Sequence, residues 1–360
     1  MSRAALLSLL MMLSSAAAPA AAQDGAVLRG RVVAADAARP AGLRAYLRWQ
    51  ISGTGEMRAD STAVDSAGRF AMALADSLPD SVTVIVDAAD PAARTHHPAL
   101  ARMSRAEAGR EHGFVLMPRE WTIVAGSYAG TRVPVSPERA TRPVCAGCSG
   151  FWVRMGGPRA PAGFSGWTAA RFPLAVAFDR AASVPAGAAP DSAAFWRAAR
   201  GVEEALGQRL FRPVSYAQTL ARFADEDHPG DVVLVRVDRA LSTSGLTTTV
   251  GSRGSVEYAA VSLRTAGSVT APEGGELVSH ELMHALGMGH TCAWRSVLAD
   301  VNRCPQRRAP TPTAEDVAYA QLLYRVRALQ QNGAFRWGLD AAVEGERALE
   351  PGNARRAPEP

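Results

Sequence analysis

Between residues 26 and 118 the apolar positions recur with a period of two. The run Val27-Leu28-Arg29-Gly30-Arg31-Val32-Val33 alternates apolar and polar side chains, and Leu43 to Ile51 does so again before Gly53-Thr54-Gly55 turns the chain. Alternation of this kind sets one face of an extended segment against a core. Thr62 to Phe70 reads as strand, tight turn, strand, with Asp65 and Gly68 supplying the turn chemistry. Ser81 to Val86 is a β-branched run suited to a buried strand, and Gly113 to Met117 closes the series. Short strands broken by turn signals every 8–12 residues or so predict an antiparallel sandwich over residues 26–118. His96-His97, flanked by proline, reads as exposed loop.

Residues 119–170 hold Gly, Pro and three tryptophans, Trp121, Trp152 and Trp167. That aromatic content argues against a bare linker and predicts an irregular connector, with one strand around Phe151 to Arg154. From Pro173 the pattern turns to mixed α and β. Leu174 to Phe178 and Asp231 to Val237 read as strands, as do Thr247 to Val250 and Ser255 to Leu263. Phe195, Ala199, Val202, Ala205 and Leu206 recur at helical spacing, predicting a helix capped by Asp191 and running to about Leu210. A second helix is expected from about Gly275. A third starts at Thr313, with Asp316 in its first turn, and runs to about Leu329. A Pro/Arg/Glu-rich tail, residues 346–360, is expected to be disordered.

Composition adds compartment and removes one function class. The chain has 360 residues, 48% of them hydrophobic and 20% charged, which excludes a mostly disordered chain and a polytopic membrane protein. A formal charge of +5 suggests nucleic acid as a partner. Against this, all 39 basic residues are Arg and none forms a block, so no nucleic-acid partner is expected. Residues 1–22 read as a signal peptide: Arg3, the apolar run Ala4 to Leu13, and Ala20-Ala21-Ala22 as the cleavage site. A secreted or periplasmic monomer with no later membrane span is expected. The even cysteine count, Cys145, Cys148, Cys292 and Cys304, suits an oxidising compartment. The natural pairs are Cys145–Cys148 and Cys292–Cys304, though four cysteines allow three pairings.

The strongest chemical signal is His280-Glu281-Leu282-Met283-His284-Ala285-Leu286-Gly287-Met288-Gly289-His290. On a helix, His280 and His284 emerge from one face. Their spacing lets two ring nitrogens share one Zn²⁺ with bonds of about 2.0–2.1 Å. Glu281 is rotated by about 100° from His280 and stands beside a metal without binding it. Gly287 can end the helix in a left-handed conformation and let the chain swing His290 back as a third ligand. Three protein ligands leave a position for water, the arrangement of catalytic zinc. A structural zinc would want a fourth ligand, for which Cys292 is close, but a Cys292–Cys304 disulfide bracing the loop is the simpler account.

This eleven-residue motif resembles that of the metzincin zinc peptidases, and its surroundings resemble their matrixin branch over roughly residues 172–330. Gly254 to Leu263 is similar to the matrixin edge strand along the cleft, and Pro312 to Asp316 leading to Gln321-Leu322-Leu323-Tyr324 to the C-terminal helix. Residues 26–118 resemble the carboxypeptidase-regulatory, transthyretin-like family through Gly30-x-Val32 and Thr62-x-x-Asp65-x-x-Gly68-x-Phe70. The resemblances imply a multidomain chain, an all-β sandwich followed by an α+β zincin domain over residues 171–345. They imply a zinc metalloendopeptidase with Glu281 as general base and acid, and with the edge strand Val256–Leu263 pairing an extended peptide substrate. Leu298 stands where matrixins carry a methionine under the metal site. That methionine is a hydrophobic floor, and leucine is similar in volume. The family's second, structural zinc motif is not found. The acidic loop Asp225-Glu226-Asp227 with Asp231 is a candidate Ca²⁺ site, against the plainer reading of a solvated loop. Two alternatives stand beside the enzyme: an exported binding or adhesion module on an inactive peptidase scaffold, and a propeptide role for residues 26–118 with Cys145 or Cys148 capping the zinc.

Overall fold

The computed structural model describes residues 26–51, 53–75, 77–141, 150–155, 163–179, 192–215, 232–252, 255–264, 272–293, 295–301, 303–304 and 307–331. The export segment, Asp191, Cys145, Cys148, the acidic loop with Asp231, and the tail lie outside these residues. The described chain is mixed α/β, mostly strands, with several sheets and five α-helices.

The period-two segment forms seven strands: β1 (Val27–Ala34), β2 (Leu43–Gln50), β3 (Met57–Ala63), β4 (Arg69–Ala73), β5 (Ser81–Ala88), β6 (Ala99–Ser104) and β7 (Glu111–Leu116). They make two sheets, β4-β1-β7 and β3-β2-β5-β6, which share one core of Leu28, Val32, Leu47, Phe70, Val84, Phe114 and their neighbours. One expectation is corrected. The sheets are not wholly antiparallel, because β1 runs parallel to β7. These are the first and last strands of the segment, and no tight turn obliges them to run in opposite directions. The turn at Asp65 holds: Asp65 Oδ1 accepts from Ala67 and Arg69 N–H, and a Cβ on Gly68 would lie 2.4 Å from the Val32 carbonyl oxygen. His96 is also corrected. It is buried, with Nε2 3.1 Å from Asp36 Oδ1 and Nδ1 2.9 Å from Thr95 Oγ1, and its backbone bridges to Pro118. Between β6 and β7 sits one helical turn, α1 (Arg105–Ala108).

The connector carries β8 (Glu120–Thr122), β9 (Arg132–Pro134), the short helix α2 (Pro137–Thr141), β10 (Arg154–Met155) and β11 (Gly163–Phe164). Its tryptophans are core residues. Trp152 and Trp167 are fully buried, and their indole N–H groups donate to the carbonyls of Tyr319 and Ala285. Phe151 stacks on Tyr319 with centroids 4.1 Å apart. The connector is therefore packed into the second core.

That core surrounds a five-stranded sheet in the order β13-β12-β14-β16-β15, built from β12 (Leu174–Phe178), β13 (Phe211–Pro213), β14 (Val232–Val237), β15 (Gly245–Ser252) and β16 (Ser255–Leu263). Four strands are parallel and β15 alone runs against them. The continuous apolar runs of β12 and β14 follow from burial on both faces. Leu174, Val176, Val233 and Val235 point into the main core, while Ala175, Ala177, Val232 and Leu234 form a smaller cluster on the other face. The helices are α3 (Ser192–Leu206), α4 (Pro272–Ala285) and α5 (Ala314–Gln331). Helix α3 ends at Leu206, earlier than the periodicity predicted, because Gly207 adopts φ +75° against the backbone of Ala125 and Gly126. Helix α4 begins three residues earlier than expected, with proline at its first position.

The sheet order overturns one expectation. Strand β16 is not an edge: it lies between β14 and β15. The edge is β15, whose polar threonines gave it a weaker strand signal than the apolar β16.

Candidate metal centre

Helix α4 delivers His280 and His284 one turn apart, His280 buried and His284 half-buried. The helix then stops in a Schellman arrangement. Gly287 N–H donates to the His284 carbonyl, and Met288 N–H reaches back to that of Met283. Gly287 has φ +93°, and a Cβ there would sit 2.3 Å from the Ser165 carbonyl oxygen. The next residues are pinned by the connector, where Gly289 N–H donates to the Phe151 carbonyl. This reversal returns His290 to the helix face.

The three Nε2 atoms converge. They are 2.9 Å apart between His280 and His284, 3.1 Å between His284 and His290, and 3.2 Å between His280 and His290. The outer nitrogens are committed elsewhere. His280 Nδ1–H donates to the Val297 carbonyl at 2.7 Å, and His284 Nδ1–H to that of Met288 at 2.8 Å. A carbonyl only accepts, so the proton of each of these rings sits on Nδ1 and the Nε2 lone pair faces the shared centre. Burial keeps the rings neutral: His280 is held well below the usual imidazole value, and His284 and His290 are lowered to about 4. Converging lone pairs on neutral rings repel one another unless a cation lies between them. Tetrahedral coordination with nitrogen bonds of about 2.0–2.1 Å needs ligand nitrogens about 3.3 Å apart, close to the spacing found. The three residues are placed to bind a metal ion.

These shifts set a pH dependence for the metal-free protein. The unfolded chain takes up protons on these rings from about pH 6.5 downward. The folded chain does so only near 4 for His284 and His290. The unfolded state therefore binds more protons within that window. Stability is full above about pH 6.5 and is expected to fall as pH drops toward about 4. Urea midpoints of chelated protein at about pH 7 and about pH 5 check the sign.

Glu281 does not join the triad. Its Oε2 lies 2.7 Å from Thr247 Oγ1 on β15, and a Cβ on Gly245 would lie 2.6 Å from Oε1. The carboxylate is thus held between a hydroxyl and a glycine of the edge strand. Burial raises its pKa, while the Thr247 hydrogen bond and the charge of Arg308 pull the other way. Thr247, Gly245 and Arg308 escape a sequence reading, because only the tertiary fold carries them to Glu281.

Beyond His290 the chain loops and is closed by the Cys292–Cys304 disulfide, with Cα atoms 5.4 Å apart. Leu298 is fully buried in the main core, and its carbonyl accepts from Thr291 N–H. The wholly buried Asp316 ties this loop to α5: Oδ1 accepts from the Ser296 hydroxyl, and Oδ2 from the N–H groups of Val297 and Thr313. Val297 in turn holds His280. Asp316, which the sequence marks only as a first-turn residue, is one bond removed from a ligand's anchor. The 12-residue separation of the disulfide implies about 3 kcal/mol from restriction of the unfolded chain. The double variant Cys292→Ser, Cys304→Ser is expected to lose about that much unfolding free energy, read as a lower urea midpoint.

A cleft of about 630 Å³ opens over the centre, lined by the three histidines, Glu281, residues of β15, and Asp300, Val301, Arg303 and Arg308. No helix among the described residues is long and apolar enough to cross a membrane. No family model, no curated protein and no solved structure matches the chain.

Proposed function

We propose that the chain is an exported zinc-dependent metalloendopeptidase of the metzincin, matrixin-like kind, its catalytic domain preceded by a transthyretin-like accessory sandwich. One observation carries the reading: the Nε2 atoms of three histidines converge on one point, with the buried carboxylate of Glu281 beside them in an open cleft.

His280, His284 and His290 would hold the ion through Nε2. Bound there, zinc supplies Lewis acidity, lowering the pKa of water and polarising a carbonyl. Glu281 moves the proton: its carboxylate accepts it from the attacking water and passes it to the leaving amine nitrogen. A raised pKa suits a group that must both take and give a proton near neutrality. Thr247 and Gly245 hold that carboxylate in one orientation. The strand that receives substrate is β15. It lines the cleft and has no neighbour on its outer side among the described residues, so an extended peptide can add to it.

The test is hydrolysis of an unstructured protein such as casein, with metal content measured alongside. The purified chain is expected to carry about one zinc per molecule, to lose activity with a chelator, and to regain it with one equivalent of zinc. Activity that survives complete removal of metal would refute the reading.

A further inference from the structure

We infer that the cleft selects peptides carrying a carboxylate beside the cleaved bond, and that Arg308 is the residue that reads it. This deepens the peptidase reading and rests on it.

Three arginines, Arg264, Arg303 and Arg308, line the cleft together with the carboxylates of Asp300 and Glu281. Asp300 lies 3.4 Å from Arg303, and the Glu281 carboxylate is engaged by Thr247. Arg308 is different. Its backbone is anchored, because Ala309 N–H donates to the Ser296 carbonyl. Its side chain is braced as well, with Nε donating to the Ala299 carbonyl at 3.2 Å. Among the described residues no carboxylate closes an ion pair with it. A guanidinium has five N–H donors, so its outer edge remains available as a planar fork. It is half-buried in the same cleft as the three histidines. A pre-oriented arginine of this kind favours a two-pronged contact with a carboxylate over any neutral group. Glu281 lines that cleft as well, and the Arg308 charge acts to lower the pKa of its carboxyl.

The experiment compares internally quenched peptides that differ only by Glu or Gln at the residues flanking the cleaved bond, all with amidated C-termini. A neutral peptide with a free C-terminus near the bond forms a second arm. A hydrogen-bonded charge contact predicts that Glu exceeds Gln by about 10- to 100-fold in kcat/KM. Preference in the first arm assigns the carboxylate to a side chain, and preference in the second to a chain terminus. In Arg308→Gln the Glu-to-Gln ratio is expected to fall toward one. Because the ratio is taken within each variant, a general loss of activity cancels. Should that variant fail to fold, rising salt on the unaltered protein is expected to shrink the ratio as the contact is screened. Equal cleavage of Glu, Gln and free-terminus peptides by a zinc-loaded, active enzyme overturns this inference and leaves the peptidase reading standing. No cleavage of any peptide overturns both.

Discussion

Glu281→Gln is expected to lower kcat for peptide hydrolysis by about 10²- to 10⁴-fold while the chain keeps about one zinc per molecule. The substitution keeps the shape of the side chain and removes its ability to take a proton. Glu281 contributes no atom to the triad, so Nε2 of His280, His284 and His290 stay where they are. The Thr247 hydroxyl can still donate to the amide oxygen, so the side chain keeps its contact with β15. A fall in kcat with metal retained is the signature of a lost proton carrier. Full activity in the variant would remove Glu281 from the mechanism. Loss of zinc together with activity would instead make it a structural neighbour of the metal. Single-turnover hydrolysis alongside metal analysis separates the outcomes.

The second large effect is expected at Gly287. A left-handed conformation costs a residue with a side chain about 1–2 kcal/mol. The Cβ of Gly287→Ala would also sit 2.3 Å from the Ser165 carbonyl oxygen and 2.8 Å from its carbon, and that backbone cannot swing aside as a side chain could. Together these predict a loss of about 3 kcal/mol or more in unfolding free energy, seen in the urea midpoint. The same turn carries the Met288 carbonyl that holds His284 Nδ1 and sets the return of His290. Zinc affinity is therefore expected to fall about 10- to 100-fold, as when a ligand loses its outer support. A competition titration with a chromogenic chelator measures this. Unchanged affinity in a destabilised protein would show that the turn supports the fold without positioning the ligands.

Much of the fold was legible because local rules agreed with it. Alternation along Val27–Val33 and the Asp65–Gly68 turn are short-range features, and each formed where expected. The errors fell where pairing is long-range. Strand β7 joined β1 across the whole segment, and β15 took the edge that β16 had been expected to hold. The edge role of β16 rested on its resemblance to the matrixin strand, and neither that resemblance nor an apolar pattern reports which neighbours a strand pairs with. His96 was missed as a buried residue for the same reason, since its partner Asp36 is 60 positions away.

The site divides along the same line. By itself the sequence picked out the three histidines that the fold brings together, because helical spacing puts His280 and His284 on one face and a left-handed Gly287 lets His290 return. It also offered Cys292 and Cys304 as one natural pair, which the structure joins across the loop beyond. The tertiary structure alone decided the rest: the carbonyls of Val297 and Met288 that orient two rings, the Asp316 carboxylate behind Val297, the Thr247–Gly245 seat of Glu281, and the approach of Arg308. The reason is physical. Ligand spacing is set by the pitch of one helix, over residues a turn apart. Orientation, tautomer and protonation depend on burial and on partners that the folded chain draws from β15, the disulfide loop and α5.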